Sequence, residues 1–266
     1  NSSLVFQRIL PTPLPQKVLY NAPFTFGSQI GCNLAIGTNG EVYVPWFNYE
    51  LGGPYNATLQ FRWNDRGGED WGWGRIQNVT SFRRFVNAQN CPGATKDCII
   101  GSTNPNTYFR IGFMPGIAVD MLGGIHLVYA ENVITGGIRN GDIKYVNSDN
   151  CRNGSSVDRC SWNTPPTINL DTSNKDQFMP TIHVSNITSP SAPRGVIYVT
   201  ALDRRNNPAN ETWQVWSYAC SLGTILSGSG SCRSADEWNN QLISDEPIDN
   251  HDQNFIGDYN GITHTK

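Results

Sequence analysis

Short apolar segments alternate with turns rich in glycine, asparagine and proline along most of the chain. Within these segments, apolar residues either alternate with polar ones or form short runs of β-branched and aromatic side chains. Alternation with period two, bounded by turn residues, is typical of strands and hairpins. No segment keeps a helical apolar period over three turns. The pattern therefore predicts an all-β fold.

One arrangement of strands recurs three times along the chain. Each copy has a short apolar strand, a turn that contains glycine and an alternating second strand, over residues 33–46, 116–129 and 181–200. A third strand follows each copy, over residues 58–63, 142–146 and 214–218. A fourth β-like stretch is visible at 75–79 and 167–170. Recurrence of a four-stranded antiparallel unit favours the blades of a β-propeller over a sandwich.

The loops after the third strands carry related short motifs. The first reads Trp63-Asn-Asp65-Arg-Gly-Gly-Glu-Asp-Trp71, and the second has Ser148-Asp-Asn150 followed by Trp162. They resemble degenerate copies of the Asp-box, Ser-x-Asp-x-Gly-x-Thr-Trp, of sialidase-like β-propellers. In that motif the Asp and Gly shape a tight turn and the Trp packs between sheets. The resemblance therefore implies a structural role for these residues rather than a catalytic one.

Further segments resemble successive blades of the sialidase (BNR-repeat) superfamily, in order 141–148, 176–180, 200–210 and 255–261. The resemblance implies one partial propeller domain over 1–266, with blades near 33–80, 107–170 and 177–245 and another from residue 254. That family closes with six blades, of which three to four are visible here. We therefore expect either a longer protein or several copies that complete each other as a homo-oligomer or filament.

A catalytic interpretation depends on a few residues. Tyr108-Phe-Arg110-Ile-Gly112 resembles the Phe/Tyr-Arg-Ile-Pro motif that carries the first of three substrate-binding arginines in sialidases. Those enzymes also use a Tyr nucleophile activated by a Glu, and an Asp acid/base. The resemblance implies Arg110 as a carboxylate ligand, with Glu131, Asp258 and Tyr259 as candidates for the remaining roles.

The alternative is that none of these residues is catalytic. Gly112 replaces the proline of the motif, and no second or third arginine of the triad is identifiable. Arg110 is then a strand-end arginine paired with a carboxylate, and 257–261 is a turn near the propeller axis. The sequence favours this alternative, and it predicts that Arg204 and Arg205 lie in a solvated loop.

The cysteines form local pairs. Six of the seven are arranged as Cys91/Cys98, Cys151/Cys160 and Cys220/Cys232, and each pair brackets a polar stretch. Short loops closed by disulfides are typical of an oxidising compartment. The four histidines form no zinc-ligand pattern with these cysteines. The spacing predicts three disulfides and no metal site. It leaves Cys32 unpaired within this chain, so that Cys32 is either free or bonded to a partner outside it.

Glycosylation signals agree with that compartment. Sequons begin at Asn1, Asn56, Asn78, Asn153, Asn186 and Asn210, and the last five are predicted to carry glycans. The chain starts with neither Met nor a signal peptide, as a processed secreted protein would. We therefore expect a secreted or cell-surface glycoprotein.

Charge and composition exclude other classes. The formal net charge is −3 and charged residues are 15% of the chain, against roughly 25% in an average protein, so nothing indicates nucleic-acid binding. No apolar run approaches the ~18 residues of a membrane span. The acidic stretch 245–252 offers oxygen ligands for calcium but lacks the spacing of a defined loop. No other cofactor is predicted.

Two functions are compatible with these observations. The first is a non-catalytic propeller that binds glycans or other extracellular protein subunits in an assembly. For this function the rings of Trp71 and Trp73 could stack on sugars, although the sequence favours packing between blades for both. The second is an exo-glycosidase of sialidase type, with the rest of its active site on blades outside this chain.

Overall fold

The computed structural model describes residues 5–6, 17–18, 29–49, 56–64, 76–85, 98–100, 108–111, 114–135, 138–149, 151, 160–209, 211–223 and 231–248. In these ranges the chain forms sixteen strands and one three-residue 3-10 helix, Ala235–Glu237. The strands are β1 (Val5–Phe6), β2 (Lys17–Val18), β3 (Gln29–Ile30), β4 (Ala35–Ile36), β5 (Val42–Asn48), β6 (Asn56–Asn64), β7 (Gln77–Arg83), β8 (Cys98–Ile100), β9 (Tyr108–Arg110), β10 (Gly116–Val119), β11 (Ile125–Thr135), β12 (Ile138–Ser148), β13 (Gln177–Ser185), β14 (Val196–Asp203), β15 (Gln214–Ser221) and β16 (Asn239–Leu242).

Three antiparallel sheets contain most of these strands. The first sheet has the order β3-β5-β6-β7, and β4 also pairs with β5. The second sheet is β10-β11-β12, and the third is β13-β14-β15-β16. Two short pairs, β1-β2 and β8-β9, lie outside them. The prediction of an all-β fold is confirmed.

The fourth strands differ from the sequence prediction. The stretch 167–170 makes one isolated bridge, between Thr167 and Lys144, and Ile168 donates a backbone hydrogen bond to Ile143. In the third sheet, β16 pairs with β15 although its Asn-Asn-Gln-Leu sequence has little intrinsic strand propensity. Pairing with an existing edge therefore forms this strand, which the hydrophobic pattern could not predict.

The three sheets share one hydrophobic core, with the second sheet in contact with both others. Successive side chains on a strand point to opposite faces, and β11 uses both. On one face, Tyr129 packs on Phe82 of the first sheet, with ring centroids 4.9 Å apart. On the other face, Val128 lies beside Gly116. A Cβ added at Gly116 would contact both Val128 and Ile182 of the third sheet, so the second and third sheets approach each other closely there. The described sheets do not close on themselves, so closure into a propeller stays a prediction, as do the blade boundaries.

Two disulfides lie at loop bases. Cys151 is bonded to Cys160, with Cα atoms 4.4 Å apart, and Cys220 is bonded to Cys232, with Cα atoms 5.9 Å apart. Cys32 is a half-buried free thiol. Of the described residues, none belongs to a helix long and apolar enough to cross a membrane. The pairing of Cys91 with Cys98 lies outside the described residues, since only the backbone of Cys98 is described.

Candidate functional site

The third sheet ends in a cluster of buried polar groups where β14 leads into β15. Asp203 is the last residue of β14, and its carboxylate is buried. It accepts hydrogen bonds from the Tyr218 hydroxyl at 2.9 Å and from the Gln177 side chain at 3.2 Å. Burial, together with the charge of Asp203, raises the pKa of Tyr218 well above its ordinary value. The phenol therefore stays protonated and acts as a donor.

Arg205 follows this carboxylate and is held from several sides. Its guanidinium lies 2.6 Å from Asp203 and donates to the Asn169 carbonyl at 2.7 Å. The same group lies over the Trp216 ring, 4.0 Å from its centroid. Burial acts to lower the pKa of Arg205, but the hydrogen bond and charge of Asp203 outweigh it and raise that pKa. Arg205 is therefore a charged group that Asp203 neutralises.

Arg204 points the other way and is 0% exposed. It lies 3.4 Å from the Asp176 carboxylate and 5.8 Å from the ring centroids of both Phe178 and Trp213. Burial lowers the pKa of Arg204, and Asp176 acts in the opposite direction. The prediction that Arg204 and Arg205 lie in a solvated loop is wrong. Carboxylates and aromatic rings of the third sheet pack against them, and their positions in space could not be read from the local polarity.

A cleft of about 320 Å³ opens beside these arginines. Among the described residues, its lining consists of an acidic residue, three amide residues, a threonine, a tryptophan and a proline, namely Asp203, Asn206, Asn207, Gln214, Thr212, Trp213 and Pro247. Asn206 donates to the Gln214 side chain at 2.8 Å, and Asn207 donates to the Thr212 hydroxyl. The connection between β14 and β15 thus presents groups that both donate and accept hydrogen bonds.

A second polar cluster joins the second and third sheets at their other ends. Asp120 is fully buried and accepts hydrogen bonds from the backbone of Leu122 at 2.8 Å and of Gly124 at 2.9 Å. His126 lies 3.1 Å from Asp120, and Arg194 contacts the same carboxylate. The Asp120 carboxylate is thus shared by groups of the second and third sheets, so the cluster is a joint between sheets. None of the sequence motifs indicated it.

Glu131, a catalytic candidate, lies in β11 and faces the first sheet. It accepts a hydrogen bond from the Arg83 backbone at 3.4 Å and lies 3.8 Å from the Lys144 amine. Its partner across the strands is Asp142. Burial is the main cause that raises the pKa of both carboxyls. The structure thus brings Glu131 together with Asp142, which the sequence did not single out.

The remaining predicted residues are placed as follows. Trp162 packs edge-on against Phe61 of the first sheet, with ring centroids 5.2 Å apart, and Ser148 is fully buried. Three sequon asparagines, Asn56, Asn78 and Asn186, are exposed. For Arg110 only the backbone, in β9, is described. Outside the described residues lie Asn1, Asp65, Trp71, Trp73, Cys91, Asn150, Asn153, Asn210, Asp258 and Tyr259.

No group of three or more metal-ligating side chains is found in the part of the chain that the structure describes. That part includes the stretch 245–252 only up to Ile248, where the backbone pairs with Trp213. The expectation that 245–252 is a solvated connection and not a calcium site stays a prediction.

The chain is therefore an all-β protein with three packed antiparallel sheets and two disulfides in its described part. No family model matches the chain, and no curated protein matches it. Among solved structures it is similar to the Hadza microbial sialidase Hz136, at 11% identity and a TM-score of 0.43, over 83% of this chain and 37% of that one. It is also similar to BT0996, solved as an RGII complex, at 8% identity and a TM-score of 0.30, over 81% of this chain and 70% of that one. The chain thus spans little more than a third of the sialidase, and neither likeness assigns an activity to it.

Proposed function

We propose that the chain belongs to a secreted, N-glycosylated, sialidase-like β-propeller that binds glycans in an extracellular or surface assembly without hydrolysing them. The observation that carries this proposal is the cleft at the β14–β15 connection. Its volume of about 320 Å³ is near the lower end of the roughly 300–1,000 Å³ typical of small-molecule sites. That volume suits one or two sugar rings.

The chemistry of the lining suits a sugar. Hydroxyl groups of a saccharide donate and accept hydrogen bonds, and the carboxamides of Asn206, Asn207 and Gln214 do the same. Pro247 and Trp213, which also line the cleft, contribute apolar surface for the C–H faces of the ring. A mixture of amides with a small apolar surface favours a polyhydroxylated ligand over an apolar one.

The same lining supports binding rather than hydrolysis. Most glycosidases act with two carboxyl groups, or with a Tyr nucleophile in sialidases. Of the described residues that line the cleft, Asp203 is the one with a carboxyl group. Its oxygens are occupied by Arg205, Tyr218 and Gln177. The oxygens of this carboxylate are therefore engaged within the protein, and the described lining holds no second carboxyl group to act with it.

Binding to an array of defined glycans tests the proposal. The protein is expressed with its glycans, and the double variant Asn206→Ala/Gln214→Ala is compared with it. Each lost hydrogen bond costs about 1 kcal/mol, so we expect at least a tenfold loss of affinity for the bound glycan. Gln241→Ala, an exposed amide on β16, is the matched control and should bind as the wild type does. If the wild type bound no glycan, the proposal would be refuted.

The pair of carboxyls on β11 and β12 supports a second candidate, an exo-glycosidase of sialidase type with other catalytic groups on blades outside this chain. Glu131 and Asp142 face each other across the strands, and burial raises the pKa of both, as a general acid requires. The full-length protein would then release the fluorophore from a 4-methylumbelliferyl sialoside. Glu131→Gln and Arg110→Ala would abolish release, whereas the exposed Glu246→Gln would not. Absence of release by the wild type would exclude this candidate for sialosides.

A further inference from the structure

We infer that the cleft at the β14–β15 connection takes an uncharged saccharide and discriminates against acidic sugars. This inference rests on the glycan-binding function proposed above and specifies its ligand class. It is carried by the way in which the two arginines beside the cleft are already engaged.

The hydrogen-bonding edges of the Arg205 guanidinium are already engaged within the protein, so neither is available to a ligand. Its Nε donates to Asp203 at 2.8 Å, and its NH2 group lies 2.6 Å from the same carboxylate and 2.7 Å from the Asn169 carbonyl. NH1 lies 3.4 Å from the Asn240 side chain, and one face of the group is covered by the Trp216 ring. A ligand carboxylate would have to displace Asp203, which is held in place by Tyr218.

Arg204 is enclosed below the cleft. Its side chain is 0% exposed, and its charge is compensated by Asp176 at 3.4 Å and by the Glu211 carbonyl at 3.3 Å. The Trp213 ring, which lines the cleft, lies next to this guanidinium. An acidic ligand in the cleft would therefore meet an indole and not the cation.

The described lining of the cleft offers no cation to an acidic ligand, and the charge of Asp203 is already paired with that of Arg205. Asp203 is the charged member of its described lining, and no lysine or arginine is part of that lining. Recognition of a carboxylate in proteins usually uses the planar fork of an arginine, which forms two parallel hydrogen bonds. A ligand carboxylate placed among the amides beside Asp203 would lose its hydrating water without gaining a cation in return, which is unfavourable. A neutral sugar ring carries no such cost, and its hydroxyls match the amides.

A matched set of probes tests the inference. The wild-type protein is applied to an array that carries neutral oligosaccharides, each beside the same oligosaccharide capped with sialic acid. We expect binding to neutral members and a loss of at least tenfold on sialylation of the bound terminus. For a neutral glycan that binds, the dissociation constant should change less than twofold between 50 and 500 mM NaCl, because no ion pair forms (about twofold is the margin we assign to nonspecific salt effects).

Variants of residues that line the cleft test whether the glycan binds there. Asn206→Ala/Gln214→Ala should lose neutral-glycan binding, and Gln241→Ala should keep it. Thr212 is left unchanged because it completes the Asn210 sequon. Binding that requires sialic acid would overturn the inference and leave the proposed function intact. Neutral binding that survives the double variant would also overturn it, because the site would then lie elsewhere. Absence of any glycan binding would refute the proposed function itself.

Discussion

Arg194, in the turn before β14, donates a hydrogen bond to the carboxylate of Asp120 and so joins the third sheet to the second. Arg194 is 3% exposed, and Asp120 is fully buried. The same guanidinium lies 2.6 Å from Asp149, which Arg233 approaches to 2.7 Å from the surface. Removal of one partner from a buried ion pair leaves the other charge buried and uncompensated, which is far more costly than loss of a surface pair.

We therefore expect Arg194→Met to lower the free energy of unfolding by about 3–5 kcal/mol. Arg233→Met is the matched control, because Arg233 contacts the same Asp149 but its side chain is 44% exposed. Its cost should stay below about 1 kcal/mol. Urea denaturation under non-reducing conditions measures both. Equal losses in the two variants would contradict the role of Arg194 as a joint between sheets.

Acid should weaken the same joint. Burial alone would raise the pKa of Asp120, but the hydrogen bond from His126 and the charges of His126 and Arg194 together lower it to about 2. A carboxyl group whose pKa is lower in the folded state stabilises that state above its ordinary pKa, here 3.8. This contribution, on the order of 2 kcal/mol, should disappear as the pH falls from about 4 to about 2.

Stability measured by urea denaturation between pH 6 and 2 checks this prediction. Asp120→Asn should be less stable than the wild type at pH 6 and should lose less stability between pH 4 and 2. If both proteins showed the same slope below pH 4, Asp120 would not be the group responsible.

The disulfide Cys220–Cys232 should stabilise the folded state, because it closes a loop and so restricts the unfolded chain. The two cysteines are 12 residues apart, and the chain-entropy relation gives about 3 kcal/mol for a loop of that length. Replacement of both cysteines by alanine should lower the free energy of unfolding by about that amount. Cys32→Ala, which removes a thiol that bridges no loop, should cost about 1 kcal/mol or less. Comparable losses would argue against the loop as the source of stabilisation.

Gly195 should tolerate no side chain. Its φ is +99°, and an added Cβ would overlap the Ser185 carbonyl oxygen, so the backbone itself would have to move. Gly195→Ala should cost more than about 3 kcal/mol. Gly40 has a similar φ of +86° but no atom within 4 Å of the added Cβ, so Gly40→Ala should cost only the conformational strain of about 1–2 kcal/mol. Thermal unfolding of the two variants separates the clash from the strain.

The sequence predicted the strands better than the contacts between them. The hairpins at β5, β11 and β14 follow from local alternation and from turn glycines, which act within a few residues. Arg194 and Asp120 are 74 residues apart in the sequence, and nothing in the local pattern of either indicates the other. The strand β16 was missed for the same reason, because its pairing with β15 depends on a partner strand and not on its own residues.

The cleft, like the contacts between sheets, could not be predicted from the sequence. The stretch that lines it is polar, and polarity alone predicts a solvated loop. What polarity does not show is that Asp203 and Asp176 are paired with two arginines beside the cleft. Arg204 and Asp176 are 28 residues apart and are brought together by the pairing of β13 with β14, which local polarity does not indicate.

The strand β11 contacts a neighbouring sheet through each of its two faces. Tyr129 and Glu131 contact the first sheet, whereas Val128, on the opposite face, lies where the second sheet approaches Ile182 of the third. A single inserted residue would exchange the two sets, since side chains alternate with period two, and both interfaces would fail together. The β14–β15 connection is under no such restriction of length. A change in that connection would therefore leave the register of β11, and with it the contacts on both of its faces, unaltered.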